Sequence, residues 1–436
     1  MREKLTRVLL TALTLTLIVG ASYLKNPEIF KEDGDTRYTI AMAEGHSEGV
    51  PLHYASRLLH PWVVGRLKTF TGTDSAFMIV GVVSLFFFLF FIISILRFNF
   101  NLTLVSIVTV ILLPILFRLY RDLYLQPLFF CFISGIYWIL LLYKKYFFSI
   151  FLLMLMLFTR DESIIILLSF IAALTICALK GRKTACYYYL IFTVFIFALS
   201  WVINYNLTRG NVNIHRLPNF VFQTFRIPLY AFENVTGLKH WFNTYINIPD
   251  YTHPPIIAFD APRWIRGHSL IAKVGIYEFD KKIPLQTILM LLSTFGTAPV
   301  VILYFLKNKI IMVRERAIFF NTILFSGASL FILSFGLSSP GWRYCINSWP
   351  LFLITFPILL NELRRFNEII YWKVLLCYII SAWLPYIWPV NSATDLFLLT
   401  IFEVLFLFYT WRILAGFNRE VALRERFDEI SLQYDY

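Results

Sequence analysis

The stretch YFFSIFLLMLMLFTRDESIIILLSFIAALTICAL, residues 146–179, decides how this chain folds. It is apolar except for Arg160, Asp161 and Glu162, which stand together near its middle. As a single helix it would be about 50 Å long, well beyond the ~30 Å hydrocarbon core of a bilayer. The stretch therefore predicts a helical hairpin with the three charges at its outer tip.

The first arm of this hairpin is short. From Tyr146 to Thr159 it is about 21 Å long, which predicts a tip below the outer lipid surface, in a protein-lined cavity that water reaches. Charges at such a depth are costly and usually mark a pathway or a reaction site. The alternative is that they only mark a turn, with Arg160 pairing Asp161 or Glu162 for structural reasons.

The composition indicates that lipid is the solvent for most of the chain. Of the 436 residues, 58% are hydrophobic and 15% charged, and the mean hydropathy is +0.69. A soluble domain could not bury that much apolar surface. We predict an all-α polytopic integral membrane protein with about twelve transmembrane helices, within a range of about eleven to thirteen. The apolar runs are 6–23, 76–96, 101–117, 127–143, 146–159, 163–179, 184–203, 286–306, 317–335, 345–360, 370–388 and 395–412.

Lysine and arginine positions predict the orientation. With both termini in the cytosol, pairs and clusters such as Lys144-Lys145 and Arg364-Arg365 fall in inside loops, as the positive-inside bias requires. This bias accounts for most of the net charge of +13. Nucleic-acid binding would need a basic patch on a soluble domain, and because the sequence contains none, no nucleic-acid partner is predicted. We interpret the first run as a retained helix. The lack of an organelle address or a large soluble domain favours a bacterial inner or plasma membrane.

Two long outside segments divide the chain. They are residues 24–75, within a seven-helix module 1–203, and residues 204–285, a cap before the C-terminal helices and short cytosolic tail of 286–436. Polar residues collect on this extracytoplasmic side, among them Arg121 and Asp122 after the third run and Arg343 and Tyr344 before the tenth. Any chemistry is therefore expected on the outer face.

The first outside segment predicts two short helices on the membrane surface. One spans Asp35 to Glu44, with Asp35 as a possible N-cap, and the other lies within His53 to Phe70 and is amphipathic. His46, His53 and His60 are spaced by seven, but Pro51 interrupts a common helix and a zinc site needs further ligands. The cysteines lie in or at the ends of the runs and form no CxxC pair, so no metal site is predicted.

These features resemble a known family of membrane enzymes. Four features of residues 24–75 look like the first outer loop of GT-C superfamily glycosyltransferases. They are an acidic residue after the first run, the spacing D-x-x-Y-x-x-x-A (with Met42 at its last position), a break at Gly45 and R-L-L-x-P at 57–61. The family also has two interfacial helices in this loop, polar groups in later outer loops and a late outer arginine. The resemblance covers best residues 1–203.

The resemblance implies transfer of a sugar from a polyprenyl-phosphate carrier to a lipid, glycan or protein acceptor. Such a site needs a cation at the phosphate and a carboxylate at the acceptor hydroxyl. Asp35 is expected as the base, with Asp33 and Glu44 as rivals, and Asp161 and Glu162 as further candidate catalytic acids. Arg343 is expected at the phosphate because guanidinium contacts phosphate through two bonds. The other candidate substrate-binding residues are Tyr344, Arg160, Arg121, Asp122, Tyr38, Arg57 and His60. The sequence assigns no definite cofactor, and participation of a divalent metal is left open.

The second outside segment offers candidates for binding the acceptor. An aromatic group beside a carboxylate suits sugar binding, although a folded loop accounts for the same residues. These candidates are Asp250, Asp260, Arg263, Trp264 and His268.

Two alternatives stay open. A polysaccharide polymerase or ligase would share the lipid-linked substrates and the outer arginines. A lipid-linked-glycan flippase or transporter would more often place polar groups near the middle of the membrane.

Overall fold

The computed structural model describes most of the apolar runs and part of the first outside segment. The described residues are 2–24, 34–46, 50, 57–114, 116, 127–160, 162–181, 184–208, 295–307, 316–336, 347–388 and 393–416. They are helical, with short turns, and no β-strand occurs among them. The fold is therefore that of an all-α protein throughout the described part.

The chain divides into two compact units. The first comprises 1–95 and 115–255, and the second comprises 96–114 and 256–436. The described helices of the first unit are α1 Arg2–Leu24, α2 Gly34–Glu44, α3 Leu59–Thr71, α4 Thr73–Ser94, α6 Pro127–Leu142, α7 Tyr146–Leu157, α8 Ser163–Gly181 and α9 Thr184–Thr208. Those of the second unit are α5 Leu104–Ile111, α10 Ala298–Lys307, α11 Ala317–Gly336, α12 Phe356–Phe366, α13 Glu368–Ile387 and α14 Ala393–Ala415. Two π-helical turns, Ile95–Asn99 and Leu351–Thr355, precede α5 and α12.

The described helices present apolar side chains outward. Leu17 is 64% exposed on α1, and Ile191 is 67% exposed on α9. Small hydroxyl residues such as Ser134 and Ser200 are buried instead, and each bonds a carbonyl of its own helix. Contiguous apolar surface of this kind would aggregate in water but is solvated by lipid. The chain is thus a membrane protein.

Four described helices are long and apolar enough to cross a membrane. These segments are Arg2–Ala21, Thr73–Asn99, Glu368–Pro385 and Phe397–Ala415, while six other apolar helices are shorter. Every predicted run overlaps a described helix, so the helical class is confirmed. The total of about twelve spans, the orientation and the proposed domain boundaries stay predictions.

The hairpin predicted for residues 146–179 is present. Helix α7 ends at Leu157 and α8 begins at Ser163, so Arg160 and Glu162 lie in the turn between them. Helix α7 has 12 residues, about 18 Å, which is shorter than the predicted arm. The turn therefore lies about 18 Å from the start of α7, which is too short a distance to cross the hydrocarbon core.

Both short helices predicted for the first outside segment occur, with one correction. Helix α2 begins at Gly34, so Asp35 is its second residue and not its N-cap. Helix α3 has a buried side, with His60 and Val64, and an exposed side, where Phe70 is 86% exposed, and its amphipathic character stays a prediction.

A glycine allows α2 and α3 to pack closely. A Cβ at Gly65 of α3 would lie 2.7 Å from the backbone oxygen of Ala43 in α2. Any larger residue would push the two helices apart. Helix α3 also packs on α4, and α4 on α6, so α2 is held against the helices of the first unit through α3.

Candidate functional site

The turn between α7 and α8 is closed by its own polar groups. The Ser163 hydroxyl donates to the carbonyl of Met156 at 2.7 Å, and the backbone N–H of Arg160 donates to the same carbonyl at 2.9 Å. The N–H of Leu59, the first residue of α3, donates to the carbonyl of Phe158 at 3.1 Å. The first outer loop and the hairpin turn are therefore joined through their backbones.

Arg160 and Glu162 form a buried ion pair at this turn. Arg160 Nε donates to Glu162 Oε2 at 3.0 Å, and Nη2 donates to Oε1 at 2.7 Å. Arg160 is 4% exposed and Glu162 is 1% exposed. Two parallel charge-assisted bonds fix the plane of the guanidinium. They engage one edge of Arg160, and its Nη1 makes no hydrogen bond to any residue that the structure describes.

Arg57 adds a second positive charge to the surroundings of the same carboxylate. Burial raises the pKa of Glu162, but the charge and hydrogen bonds of Arg160, with the added charge of Arg57, lower it to about 2. Glu162 is therefore ionised at neutral pH, where it accepts bonds and does not take protons. The Glu162 carboxylate is therefore paired with Arg160 and also feels the positive charge of Arg57, which comes from a different segment.

His60 lies in an apolar pocket just beyond Arg57. Its ring is 5.7 Å from that of Phe77 in α4 and 5.2 Å from that of Phe129 in α6. It is 1% exposed, and its Nδ1 has no hydrogen-bond partner within the described part of the chain. Burial lowers the pKa of His60 to about 3, so the ring is neutral at physiological pH. The resemblance implies that His60 binds substrate, whereas its described ring packs mainly against aromatic groups.

Helix α2 brings Tyr38 and the backbone of Asp35 to the same unit. The Tyr38 hydroxyl accepts a bond from Arg37 Nη2 at 2.8 Å, and the Arg37 guanidinium lies over its ring, 4.7 Å from the centroid. Tyr38 is half-buried, and Glu44 at the other end of α2 is exposed. Because α2 packs on α3 and α3 begins at the hairpin turn, the first loop and the charged turn belong to one packed assembly.

The charged groups of the turn are less accessible to water than the sequence predicts. The sequence predicts charges in a cavity that water reaches, but Arg160 and Glu162 are almost completely buried. The physical reason is their mutual pairing, in which each charged group replaces water around the other. The alternative of a turn stabilised by a structural ion pair accounts for this part of the geometry.

Several predicted site residues lie outside the described residues. These are Asp161, Arg121, Asp122, Arg343, Tyr344, the rival Asp33, and the acceptor candidates Asp250, Asp260, Arg263, Trp264 and His268. The backbone of Asp35 is described but its side chain is not. Their roles stay predictions. Within the described ranges, no group of three or more histidine, cysteine, aspartate or glutamate side chains is arranged to hold a metal ion.

The sequence analysis missed a second buried carboxyl, Glu403 in α14. It is 0% exposed, and the hydroxyl of Ser381 in α13 donates to its Oε2 at 2.6 Å. A sequence feature could have found it, because Glu403 is the only charged residue between Asp395 and Arg412. The expectation that polar groups gather on the outer face is therefore incomplete.

Comparison with models of protein families, with curated proteins and with solved structures gives no match to this chain.

Proposed function

We propose that this chain is a membrane glycosyltransferase that moves a sugar from a polyprenyl-phosphate donor to an acceptor. The observation that carries the proposal is the buried Arg160–Glu162 ion pair, which lies where the first outer loop bonds to the hairpin turn and which the charge of Arg57 also influences. The donor has an anionic phosphate at the membrane interface, so it needs a cation there. The resemblance of the first loop to GT-C enzymes is the second support.

Arg160 is the group that we assign to the donor phosphate. Glu162 holds its Nε and Nη2 edge, which keeps the guanidinium in one orientation, while Nη1 makes no hydrogen bond to a described residue. A guanidinium fixed in this way can donate to a phosphate oxygen without losing further side-chain freedom. Arg343 with Tyr344, and Arg121 with Asp122, are proposed to complete the contacts to the same phosphate.

Glu162 acts in this proposal as a positioning residue. Its two oxygens accept bonds from Arg160, and a pKa of about 2 makes it a weak base at neutral pH. Asp35 is the proposed base, since helix α2 places its backbone in the first outer loop on the same packed assembly. Asp161 is the remaining candidate from the turn, as a catalytic acid or a cation ligand. Tyr38 and His60 are proposed to line the site.

The test is turnover of polyprenyl-phosphate sugars by purified protein in liposomes. Asp35→Asn is expected to lower the rate about 10²–10⁴-fold if Asp35 is the base. Arg160→Lys, which keeps the charge but loses the fork geometry, is expected to lower it roughly 10²-fold. The matched control is Arg66→Lys, because Arg66 lies in the same loop over the ring of Trp62, 5.6 Å from its centroid.

The outcomes separate the parts of the proposal. Full activity of Asp35→Asn would remove Asp35 from the mechanism, and full activity of Arg160→Lys would remove Arg160. Absence of turnover with every donor would favour a function without sugar transfer.

One observation favours a second candidate, a lipid-linked-glycan flippase or transporter. Such proteins place polar groups and interrupted helices within the membrane, and α14 carries Glu403 while α13 contains Pro385. The discriminating measurement is movement of a labelled lipid-linked sugar between leaflets of the same liposomes. Movement without new glycosidic product would replace the enzymatic proposal.

A further inference from the structure

We propose that Glu403 and Ser381 form a proton-binding site inside the membrane, in which the Glu403 carboxyl is protonated at rest and exchanges its proton through Oε1. The proposal concerns the second unit only and does not depend on which function in the preceding section is correct.

The depth of the carboxyl is the first observation. Glu403 lies near the middle of the candidate span Phe397–Ala415, and Ser381 lies within the candidate span Glu368–Pro385. Both residues are 0% exposed. An isolated carboxylate in such surroundings is very costly, and an ionisable residue within a span usually marks a functional site.

The absence of a nearby cation among the described helices is the second observation. Helix α14 packs against α13 and α10. Its own charged groups, Asp395 and Arg412, are eight and nine residues from Glu403, about 12–14 Å along the axis. Lys307 of α10 lies over the Trp411 ring, and Trp411 is also eight residues, about 12 Å, from Glu403.

Helix α13 offers no described cation closer than this. Lys373 and Glu368 are eight and thirteen residues from Ser381, about 12 and 20 Å along the axis. Cys377 and Tyr378 lie one turn from Ser381, and the Tyr378 hydroxyl donates to the carbonyl of Val110. The remaining titratable side chains of the described parts of these helices are Tyr304, Tyr371 and Tyr409. No described positive charge offsets a carboxylate at position 403, so the neutral acid is the lower-energy form.

The hydrogen-bonding pattern is the third observation. Ser381 donates to Glu403 Oε2, whereas Glu403 Oε1 is buried and has no hydrogen-bond partner among the residues that the structure describes. In addition, Pro385 lies four residues after Ser381 inside α13 and has no N–H, so it cannot donate to the carbonyl of Ser381 as a helical residue would. Two acceptors, Glu403 Oε1 and the carbonyl oxygen of Ser381, are therefore close to one another in the fold. The first has no described donor, and the second lacks the N–H that a helix normally supplies.

These groups suit a proton better than a metal ion. Together, the carboxyl of Glu403 and the hydroxyl and carbonyl of Ser381 provide four oxygens, fewer than a hard cation such as Ca²⁺ takes. No described cluster of three histidine, cysteine or acidic side chains adds further ligands. A protonated carboxyl needs only the Ser381 donor on one oxygen and an exchange partner, such as water, at the other.

The test is labelling with dicyclohexylcarbodiimide, an apolar reagent that attacks protonated carboxyls within membranes. The carboxyl proton moves to a carbodiimide nitrogen and the carboxyl oxygen bonds to the central carbon. The acyl group then shifts to nitrogen, leaving a stable adduct that retains every atom of both reactants. Purified protein in liposomes would be labelled at several pH values, digested and analysed by mass spectrometry.

We expect Glu403 to be labelled at neutral pH and the labelling to decrease as the pH rises. Glu162 is the matched control within the same chain, because it is equally buried but ionised by Arg160. Glu403→Gln should remove the adduct from its peptide, and Ser381→Ala should keep it while changing its pH dependence. Glu403 without label at or below neutral pH, or labelled no more than Glu162, would overturn the proposal.

A second measurement does not depend on the folding of a variant. The infrared spectrum of the unsubstituted protein should contain the band of a protonated carboxyl, and that band should shift on exchange into heavy water. Protection of Glu403 from the carbodiimide by sodium ions, and not by choline at the same ionic strength, would indicate a sodium site in place of a proton site. Absence of the infrared band would also overturn the proposal.

Discussion

Glu162 and Glu403 are two carboxyls at nearly the same burial, 1% and 0% exposed, in opposite electrostatic settings. Glu162 accepts two bonds from Arg160 and has Arg57 near it, so burial does not prevent its ionisation. Glu403 has one hydroxyl donor, and the nearest described charges on the helices packed around it are about 12 Å away along the axes. The comparison teaches that the partner, and not the depth, decides the protonation state of a buried acid.

The first prediction concerns replacement of each glutamate by glutamine. The larger change in the free energy of unfolding is expected at Glu162. Glu162→Gln removes the carboxylate and leaves the Arg160 guanidinium buried without its counter-charge. We expect a loss of about 3–5 kcal/mol in the free energy of unfolding. Thermal unfolding of the purified protein in detergent measures it.

Glu44→Gln is the control for this substitution, since Glu44 is exposed on α2 and its loss is expected to stay within about 0.5 kcal/mol. The double variant Arg160→Met with Glu162→Leu should recover much of the stability, because it leaves no unpaired charge. Equal unfolding temperatures for Glu162→Gln and the parent would show that the pair is not what holds the turn.

A second prediction sharpens the role of the first outer loop. Gly65→Ala places a methyl group 2.7 Å from the Ala43 carbonyl oxygen, so α2 must move away from α3. We expect a destabilisation of roughly 1–3 kcal/mol and, if Asp35 is the base, a larger proportional loss of sugar transfer. Unfolding temperature and turnover would be measured on the same preparation.

Gly135→Ala is the control for that variant. A Cβ at Gly135 in α6 meets the Phe91 side chain at 3.0 Å, which can give way more easily than a backbone oxygen. If Gly65→Ala keeps full stability and activity, the close contact between α2 and α3 does not position the loop.

The third prediction concerns the pH dependence of stability near the charged turn. His60 takes a proton below about pH 6.5 when unfolded, but its folded pKa is lowered to about 3. The unfolded state therefore binds more protons in this range, and stability falls as the pH decreases from 6.5 toward 3. At pH 5 the expected loss is about 2 kcal/mol, measured by unfolding in detergent across this range.

The contribution of Glu162 occupies a different pH window. Its pKa is lowered from 4.5 to about 2, so its stabilisation is present above 4.5 and is lost as the pH falls through 2. Between pH 6.5 and 5 the free energy of unfolding should therefore depend less steeply on pH in the His60→Phe variant. The phenylalanine ring suits the pocket between Phe77 and Phe129. An unchanged slope in that variant would assign the acid sensitivity to another group.

The smallest effect is expected for Glu403→Gln. Glutamine has nearly the shape of a neutral glutamic acid and keeps an oxygen to accept the bond from Ser381, so we expect a change below about 1 kcal/mol. Ser381→Ala, which leaves one more carboxyl oxygen without a donor, should cost about 1 kcal/mol. A cost for Glu403→Gln as large as that for Glu162→Gln would mean that Glu403 is ionised and paired.

The sequence allowed much of the first region to be predicted. The three charges between two apolar arms predicted the hairpin turn, and the Gly-rich break predicted the separation of α2 from α3. The pairing of Arg160 was left open between Asp161 and Glu162, since adjacent residues in a turn cannot be ranked without its backbone geometry. The effect of the Arg57 charge on Glu162 could not be predicted either, because about a hundred residues separate them.

Glu403 shows the opposite case. Its position as the single charge in a span was visible in the sequence, but its chemistry depends on what packs against it. Ser381 lies 22 residues earlier on another helix, and only the packing of α13 on α14 makes the two side chains meet. The N–H that Pro385 lacks matters only because this contact brings the carbonyl of Ser381 close to Glu403.

The sequence by itself determined that this is a helical membrane protein, because hydropathy and helix length depend on local composition and on the thickness of a bilayer. It also marked where charges enter apolar stretches. Only the tertiary structure decided that Arg160 forms an ion pair with Glu162 and that the charge of Arg57 acts on the same carboxylate. It also decided that Glu403 accepts a bond from a hydroxyl and has no described cation beside it. The physical reason is that the energy of a buried charge is set by neighbours within a few ångströms, which come from distant parts of the chain.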